Sequence, residues 1–301
     1  MPLDEIAPLL DLIRGAPVPG SIAELRATLP AFATILNDGL PDVARFDPAV
    51  PVAPGVTADV LVPSGTPPFP TLVYLHGGGW SICSPATHAK LTRQLCLGAR
   101  AVVVSVDYRL APEHPFPVPY EDCLAAARWT REHAARFGGD GSRLAIGGDS
   151  AGANLAAAVI EALGPALGVR AALLFYGAFD VAASRRDYRR WSPVDDPILP
   201  ESTMHRMLEA YVSGGAALDD PRLSPLFGDV GAFPPACLVV GTADPLYGES
   251  LAMHEKLRAA GRRAELHRFA DMPHAFVQLP GLTEAAEAVR VASAFLRREL
   301  G

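Results

Sequence analysis

Ser150, the histidines after it and the aspartates at strand ends are the residues whose types and order could carry out acyl transfer. Ser150 lies in Gly148-Asp149-Ser150-Ala151-Gly152, between the apolar run Leu144-Ala145-Ile146-Gly147 and an alanine-rich helical pattern beginning at Ala153. A serine on a sharp strand-to-helix turn presents its hydroxyl at the top of a sheet, and the flanking glycines let helix and strand approach closely. The hydroxyl is a weak nucleophile until an imidazole takes its proton. The imidazole in turn needs an acid to fix its tautomer.

Eight histidines are present: His76, His88, His114, His133, His205, His254, His267 and His274. With serine, acid and base in that chain order, only His254, His267 and His274 follow an acid at a strand end. His254 falls within a helical pattern and His267 within a strand alternation. His274 follows Asp271-Met272-Pro273 in a loop, where a side chain can reach across the top of a sheet. Asp244, after the run Cys237-Leu238-Val239-Val240-Gly241-Thr242-Ala243, is favoured as the acid. Asp180, at the end of the preceding strand, is its competitor. Asp271 shares a loop with His274, and Asp195 and Asp196 fall in an insertion. His76-Gly77-Gly78-Gly79 ends another apolar run, and glycines there can present bare backbone N–H groups to an oxyanion, joined by the N–H of Ala151. His76 reads as an anchor of that loop and Trp80 as a packing residue.

These residues need a scaffold that brings strand ends together. Leu3, Ile6, Leu9, Leu10 and Ile13 recur at helical spacing, Pro17, Pro19 and Gly20 interrupt it, and Ser21 with Glu24 predicts a capping box for a second helix. Short strands follow from Asp42 to Pro63. Nearly continuous apolar runs at 71–75, 101–106, 144–147, 171–176 and 236–241 predict strands buried on both faces, and 264–269 predicts a last strand. Helical patterns at 90–97, 120–137, 153–163, 248–260 and 283–300 alternate with them. That alternation predicts a doubly wound, mostly parallel α/β sheet. From 178 to about 220, a stretch with Arg185, Arg186, Arg189, Arg190, Trp191, Pro193 and Pro197 breaks the rhythm and carries no strand.

Half of the 301 residues are hydrophobic, 20% are charged and the net charge is −7. No basic run is present, which argues against nucleic-acid binding. Acids at Asp4 and Glu5 stand where a signal peptide would carry basic residues, and no apolar stretch is long enough to span a membrane, so a cytoplasmic protein without membrane contact is expected. Cys83, Cys96, Cys123 and Cys237 lack metal-ligand or C-x-x-C spacing and read as reduced, small hydrophobes, with Cys83 near enough to the glycine loop for adventitious reactivity.

His76-Gly77-Gly78-Gly79-Trp80, then Asp107 to Pro117 (DYRLAPEHPFP), Gly148 to Gly152 (GDSAG) and Asp244-Pro245-Leu246 together resemble the hormone-sensitive lipase family, in its bacterial esterase branch. The resemblance covers nearly the whole chain. It implies an α/β-hydrolase fold with a two-part helical cap, mapped onto residues 1–42 and 178–222, and a core of residues 43–177 and 223–301. It implies a carboxylesterase acting on short-chain esters, with Ser150 as nucleophile, Asp244 as acid and His274 as base. The oxyanion donors it implies are the amides of Gly77, Gly78 and Ala151, with no metal or organic cofactor. Glu113 and Asp149 match supporting positions. Ala275 and Ala153 stand where the family commonly has glycine. A homodimer through the edge strand at 264–269 is a possibility that the relatives raise.

Overall fold

The computed structural model describes residues 6–15, 18–192 and 195–301. Leu3, Asp4, Glu5, Pro17 and Pro193 of the reading above lie outside them. Two helices open the described chain, α1 (Ala7–Gly15) and α2 (Ile22–Leu36). The hydroxyl of Ser21 accepts the Glu24 amide at 3.1 Å, as a capping box requires. The returning carboxylate of Glu24, however, takes the amide of Gly20 at 2.7 Å instead of that of Ser21.

A hairpin of β1 (Arg45–Ala53) and β2 (Val56–Val62) comes next, then β3 (Phe69–Leu75), α3 (Ala89–Ala99), β4 (Val102–Asp107) and α4 (Val118–His133). The nucleophile-bearing strand β5 (Gly139–Asp149) leads into α5 (Ala151–Leu167), followed by β6 (Ala171–Phe175). The insertion contains α6 (Val181–Arg186), α7 (Tyr188–Trp191) and α8 (Glu201–Tyr211), with no strand among its described residues. The alternation then resumes with β7 (Ala236–Gly241), α9 (Tyr247–Ala259), β8 (Ala264–Phe269) and α10 (Thr283–Leu300).

One eight-stranded sheet results, in the order β1-β2-β4-β3-β5-β6-β7-β8. From β4 to β8 all neighbours are parallel, and β2 and β1 add antiparallel strands at one edge. Successive side chains of a strand point to opposite faces, so the sheet feeds two cores. Val73, Leu75, Val104, Ile146 and Leu174 pack with α4, α5 and α9, while Leu72, Tyr74, Val103, Leu173 and Val239 pack with α3 and α10. Each fully buried Leu, Val or Phe contributes about 1.5–3 kcal/mol relative to exposure. Two continuous layers of such residues therefore hold the strand ends in register.

All strands from β3 to β8 deliver their carboxyl ends to the same edge of the sheet, the edge where ligand sites form in open α/β sheets. The N-terminal helices meet the insertion above that edge. Arg206 of α8 donates to the carbonyl of Pro19 at 2.8 Å, and Arg26 of α2 donates to the carbonyls of Ser81 and Ala111 at 2.9 and 2.8 Å. Arg26 also pairs with the exposed carboxylate of Glu113 at 2.7 Å. No described helix is long and apolar enough to cross a membrane.

Candidate active site

Ser150 stands between β5 and α5 at φ 52° and ψ −120°, a region that non-glycine residues rarely occupy. Its amide donates to the carbonyl of Phe175 at 2.9 Å, which fixes the turn against β6. Gly152 is required by close approach: a Cβ there would run into the carbonyls of Leu75 and His76. The strand-turn-helix context read from the sequence thus has a concrete cause. The turn is pressed against the end of β3, and only glycine leaves room.

From that turn the Ser150 hydroxyl lies 2.8 Å from Nε2 of His274, and Nδ1 of His274 lies 2.9 Å from Oδ2 of Asp244. The other oxygen of Asp244 accepts the amide of Leu246 at 2.7 Å, which pins the carboxylate in the turn after β7. Burial by itself would lower the pKa of His274. The charge of Asp244 and its hydrogen bond, with smaller contributions from Asp196 and Asp149, outweigh burial and hold it above 6.5. The edge of the Tyr176 ring packs against the imidazole at 5.1 Å between centroids. Such a line of groups can take a proton from a hydroxyl and stabilise the resulting imidazolium.

Asp180 is not part of this line. Its carboxylate caps α6 by accepting the amide of Ala183 at 2.9 Å. Asp271 is exposed, His254 lies in α9 and His267 in β8. His76 is buried beneath the glycine loop, stacked on Tyr108 at 4.3 Å, and burial together with neighbouring His88 lowers its pKa to about 3. Trp80 is buried and stacked on Tyr211 at 4.4 Å, the packing role anticipated for it.

The glycine loop requires one correction. The amide of Gly77, expected to face an oxyanion, donates to Oδ1 of Asp149 at 3.0 Å, and a Cβ on Gly77 would collide with the same residue. Its hydrogen is committed to holding the loop. Gly78 and Gly79, at φ 108° and 54°, border the cavity at Ser150, and neither amide donates to another group among the described residues. Three consecutive glycines do not reveal from sequence which of them is tied down. Asp149 is the tie: it also accepts from the Tyr74 hydroxyl at 2.9 Å and from the Gln278 amide at 3.2 Å, and it lies 3.3 Å from Nε2 of His88. Burial would raise its pKa, but His88, Tyr74 and His76 together hold it below the usual carboxylate value.

The two departures from the family pattern have different consequences. Ala153 is fully buried in α5 without disturbing the helix. Ala275, immediately after His274, is held at φ 55° and ψ 18°, a left-handed conformation costing an alanine roughly 1–2 kcal/mol. Cys83 borders the cavity, and burial pushes its thiol up to about 12, which disfavours the thiolate that adventitious reactivity would need.

Sequence reasoning set Asp196 aside as part of the insertion. The structure buries it against the site, with Oδ2 accepting the backbone amide of His274 at 2.9 Å. An available signal was the string Asp196-Pro197-Ile198-Leu199, in which an aspartate before a proline and an apolar pair is suited to a turn that its own side chain closes.

Two cavities meet at Ser150. The larger, about 190 Å³, is bordered by His274 and Gln278 and walled by Leu25, Leu29 and Phe32 of α2. The smaller, about 30 Å³, lies among Trp80, Met204, Met207 and Leu208 and does not reach His274. Among the described residues, no cluster of three or more His, Cys, Asp or Glu is arranged to hold a metal ion.

Residues 72–278 match the family model described as alpha/beta hydrolase fold. The chain belongs to that family. It is 37% identical over 276 residues to the carboxylesterase NlhH of Mycobacterium tuberculosis, covering 89% of this chain and 82% of the relative. It is 34% identical over 224 residues to an ethyl acetate hydrolase of Pseudomonas putida, covering 72% of this chain and 69% of the relative. A crystal structure of an esterase from the bacterial hormone-sensitive lipase family superposes with a TM-score of 0.84 at 31% identity, covering 100% of this chain and 98% of that one. The resemblance read from the motifs therefore holds: the chain is a hormone-sensitive-lipase-like carboxylic ester hydrolase.

Proposed function

We propose that the chain hydrolyses esters of short carboxylic acids through an acyl-enzyme on Ser150, with His274 as base and Asp244 as the acid that orients it. The observation that carries this reading is the continuous line Ser150 Oγ–His274 Nε2 at 2.8 Å and His274 Nδ1–Asp244 Oδ2 at 2.9 Å. His274 takes the hydroxyl proton as Ser150 attacks the ester carbonyl, and the amides of Gly78, Gly79 and Ala151 receive the oxyanion. The same imidazole then protonates the departing alcohol and activates water for deacylation. Residues up to 42 and from 178 to 222 act as a two-part cap over this site, and a cytoplasmic location fits the sequence.

The alcohol must leave from the side that His274 borders, which is the larger cavity. The acyl chain then takes the smaller, whose about 30 Å³ accommodates only a few carbons before Trp80, Met204 and Leu208 are met. Across p-nitrophenyl esters of two to sixteen carbons, kcat/KM is expected to peak at two to four carbons and to fall at least about ten-fold by ten, as overfilling a packed pocket is costly. A peak at ten carbons or beyond would contradict the assignment of the small cavity to the acyl chain.

The rate requires neutral His274, and its pKa is held above 6.5 chiefly by Asp244 against the opposing effect of burial. Activity is therefore expected to fall as pH decreases through a midpoint above 6.5, the ordinary imidazole value. A kcat/KM profile from pH 5 to 9 measures it, and an acid limb at or below 6.5 would contradict the claim that Asp244 holds the imidazole up.

A further inference from the structure

We propose that Asp196 is a positioning residue for His274, through which the inserted segment sets the placement of the catalytic base. The proposal rests on the reading of His274 as that base. Oδ2 of Asp196 accepts the His274 backbone amide at 2.9 Å, while Asp244 holds the ring at 2.9 Å. The histidine is thus gripped at two points by two carboxylates, one from the sheet and one from the insertion.

The other oxygen, Oδ1, accepts the amides of Ile198 and Leu199, both at 2.8 Å. Leu199 borders both cavities at Ser150. One buried carboxylate therefore ties a wall of the binding space to the backbone of the base. Asp196 is itself fixed from behind, because its amide donates to the hydroxyl of buried Tyr188 at 2.8 Å, and that hydroxyl donates to Asp195 at 2.7 Å.

A second observation points the same way. Ala275 is held at φ 55° directly after His274. Strained backbone of this kind persists only where its surroundings determine it. The amide just before it is the one Asp196 holds, so the insertion supplies a restraint that the loop sequence lacks.

Asp196 also acts by charge. Burial, with the neighbouring charge of Asp244, leaves the pKa of Asp196 above the usual carboxylate value, while His274 and the three backbone N–H donors favour its ionised form. The groups facing His274 are Asp244 after β7, Asp149 at the end of β5, Tyr176 after β6, Ser150 and Asp196. Of these, Asp196 is the charge supplied by the insertion. Removing it should lower the pKa of His274 while loosening its loop. Simple destabilisation of the fold would not produce that combination.

The test compares wild type with Asp196→Asn and Asp196→Ala, each rate divided by the concentration of Ser150 titrated with a fluorophosphonate. Titration counts only folded, competent sites, so a variant that folds poorly still yields a rate per site. The expected result is a loss of about ten-fold in kcat per titrated site at pH 8, with the acid limb displaced to lower pH by roughly half a unit or more. Glu209→Gln, an exposed carboxylate of the same insertion paired only with Arg185 among the described residues, serves as the control and is expected to keep the wild-type limb. A wild-type limb and rate per site in both Asp196 variants would overturn the proposal, as would a loss of rate with the limb unmoved. Wild type that takes up no probe would overturn the Ser150 reading and this proposal with it. Labelled wild type beside unchanged variants would overturn this proposal alone.

Discussion

Ser150→Ala is expected to lower kcat for p-nitrophenyl butyrate by about 10⁶-fold, the order of loss seen when the nucleophile of a triad is removed. The fold should survive. The Ser150 hydroxyl bonds only to His274 among the described residues, and alanine meets the same backbone constraint at φ 52°. The remaining rate would come from the bound oxyanion geometry, the amides of Gly78, Gly79 and Ala151. Steady-state assay with a matched melting curve checks both halves of this expectation.

Asp244→Asn carries the second largest effect, about 10⁴-fold in kcat. The carboxylate accepts the Nδ1 hydrogen of His274 at 2.9 Å, leaving Nε2 free to take the serine proton. An asparagine held by the Leu246 amide through its oxygen would turn its NH₂ toward Nδ1. The ring would then carry its proton on Nε2, the wrong tautomer for a base. Asp180→Asn, at the cap of α6, is expected to stay within about three-fold of wild type, since asparagine caps a helix as well as aspartate does. Equal losses in the two variants would remove the distinction between the acids.

Much of this was legible because the relevant physics is local. The strands from 71 to 75 and from 171 to 175 are buried on both faces and read as unbroken apolar runs. The elbow at Ser150 needs glycine at 152 because a strand end lies against it, a demand that the pentapeptide states openly. Asp244 could be preferred over Asp180 from the turn and helix that follow it, and the geometry places Asp244 alone against the imidazole.

What escaped the sequence depends on contacts between segments far apart in the chain. Nothing within Gly77-Gly78-Gly79 says that Asp149, 72 residues away, takes the first amide. Nothing near Asp196 says that its carboxylate meets the backbone of His274, 78 residues away. The insertion breaks the strand-helix rhythm, so its side chains had no frame to be placed in. Arg26, likewise, reads as one basic residue of a helix until its guanidinium is found on Glu113 and on carbonyls beside the glycine loop.

The central claim is that Ser150 is a nucleophile activated by His274, and covalent labelling tests it most directly. The protein is incubated with an alkyl fluorophosphonate, its intact mass is measured and the modified peptide is sequenced. The expected result is a single adduct per chain on Ser150, none in Ser150→Ala, and labelling slowed by about the same factor as turnover in Asp244→Asn. No adduct, or an adduct retained in Ser150→Ala, would contradict the assignment of Ser150.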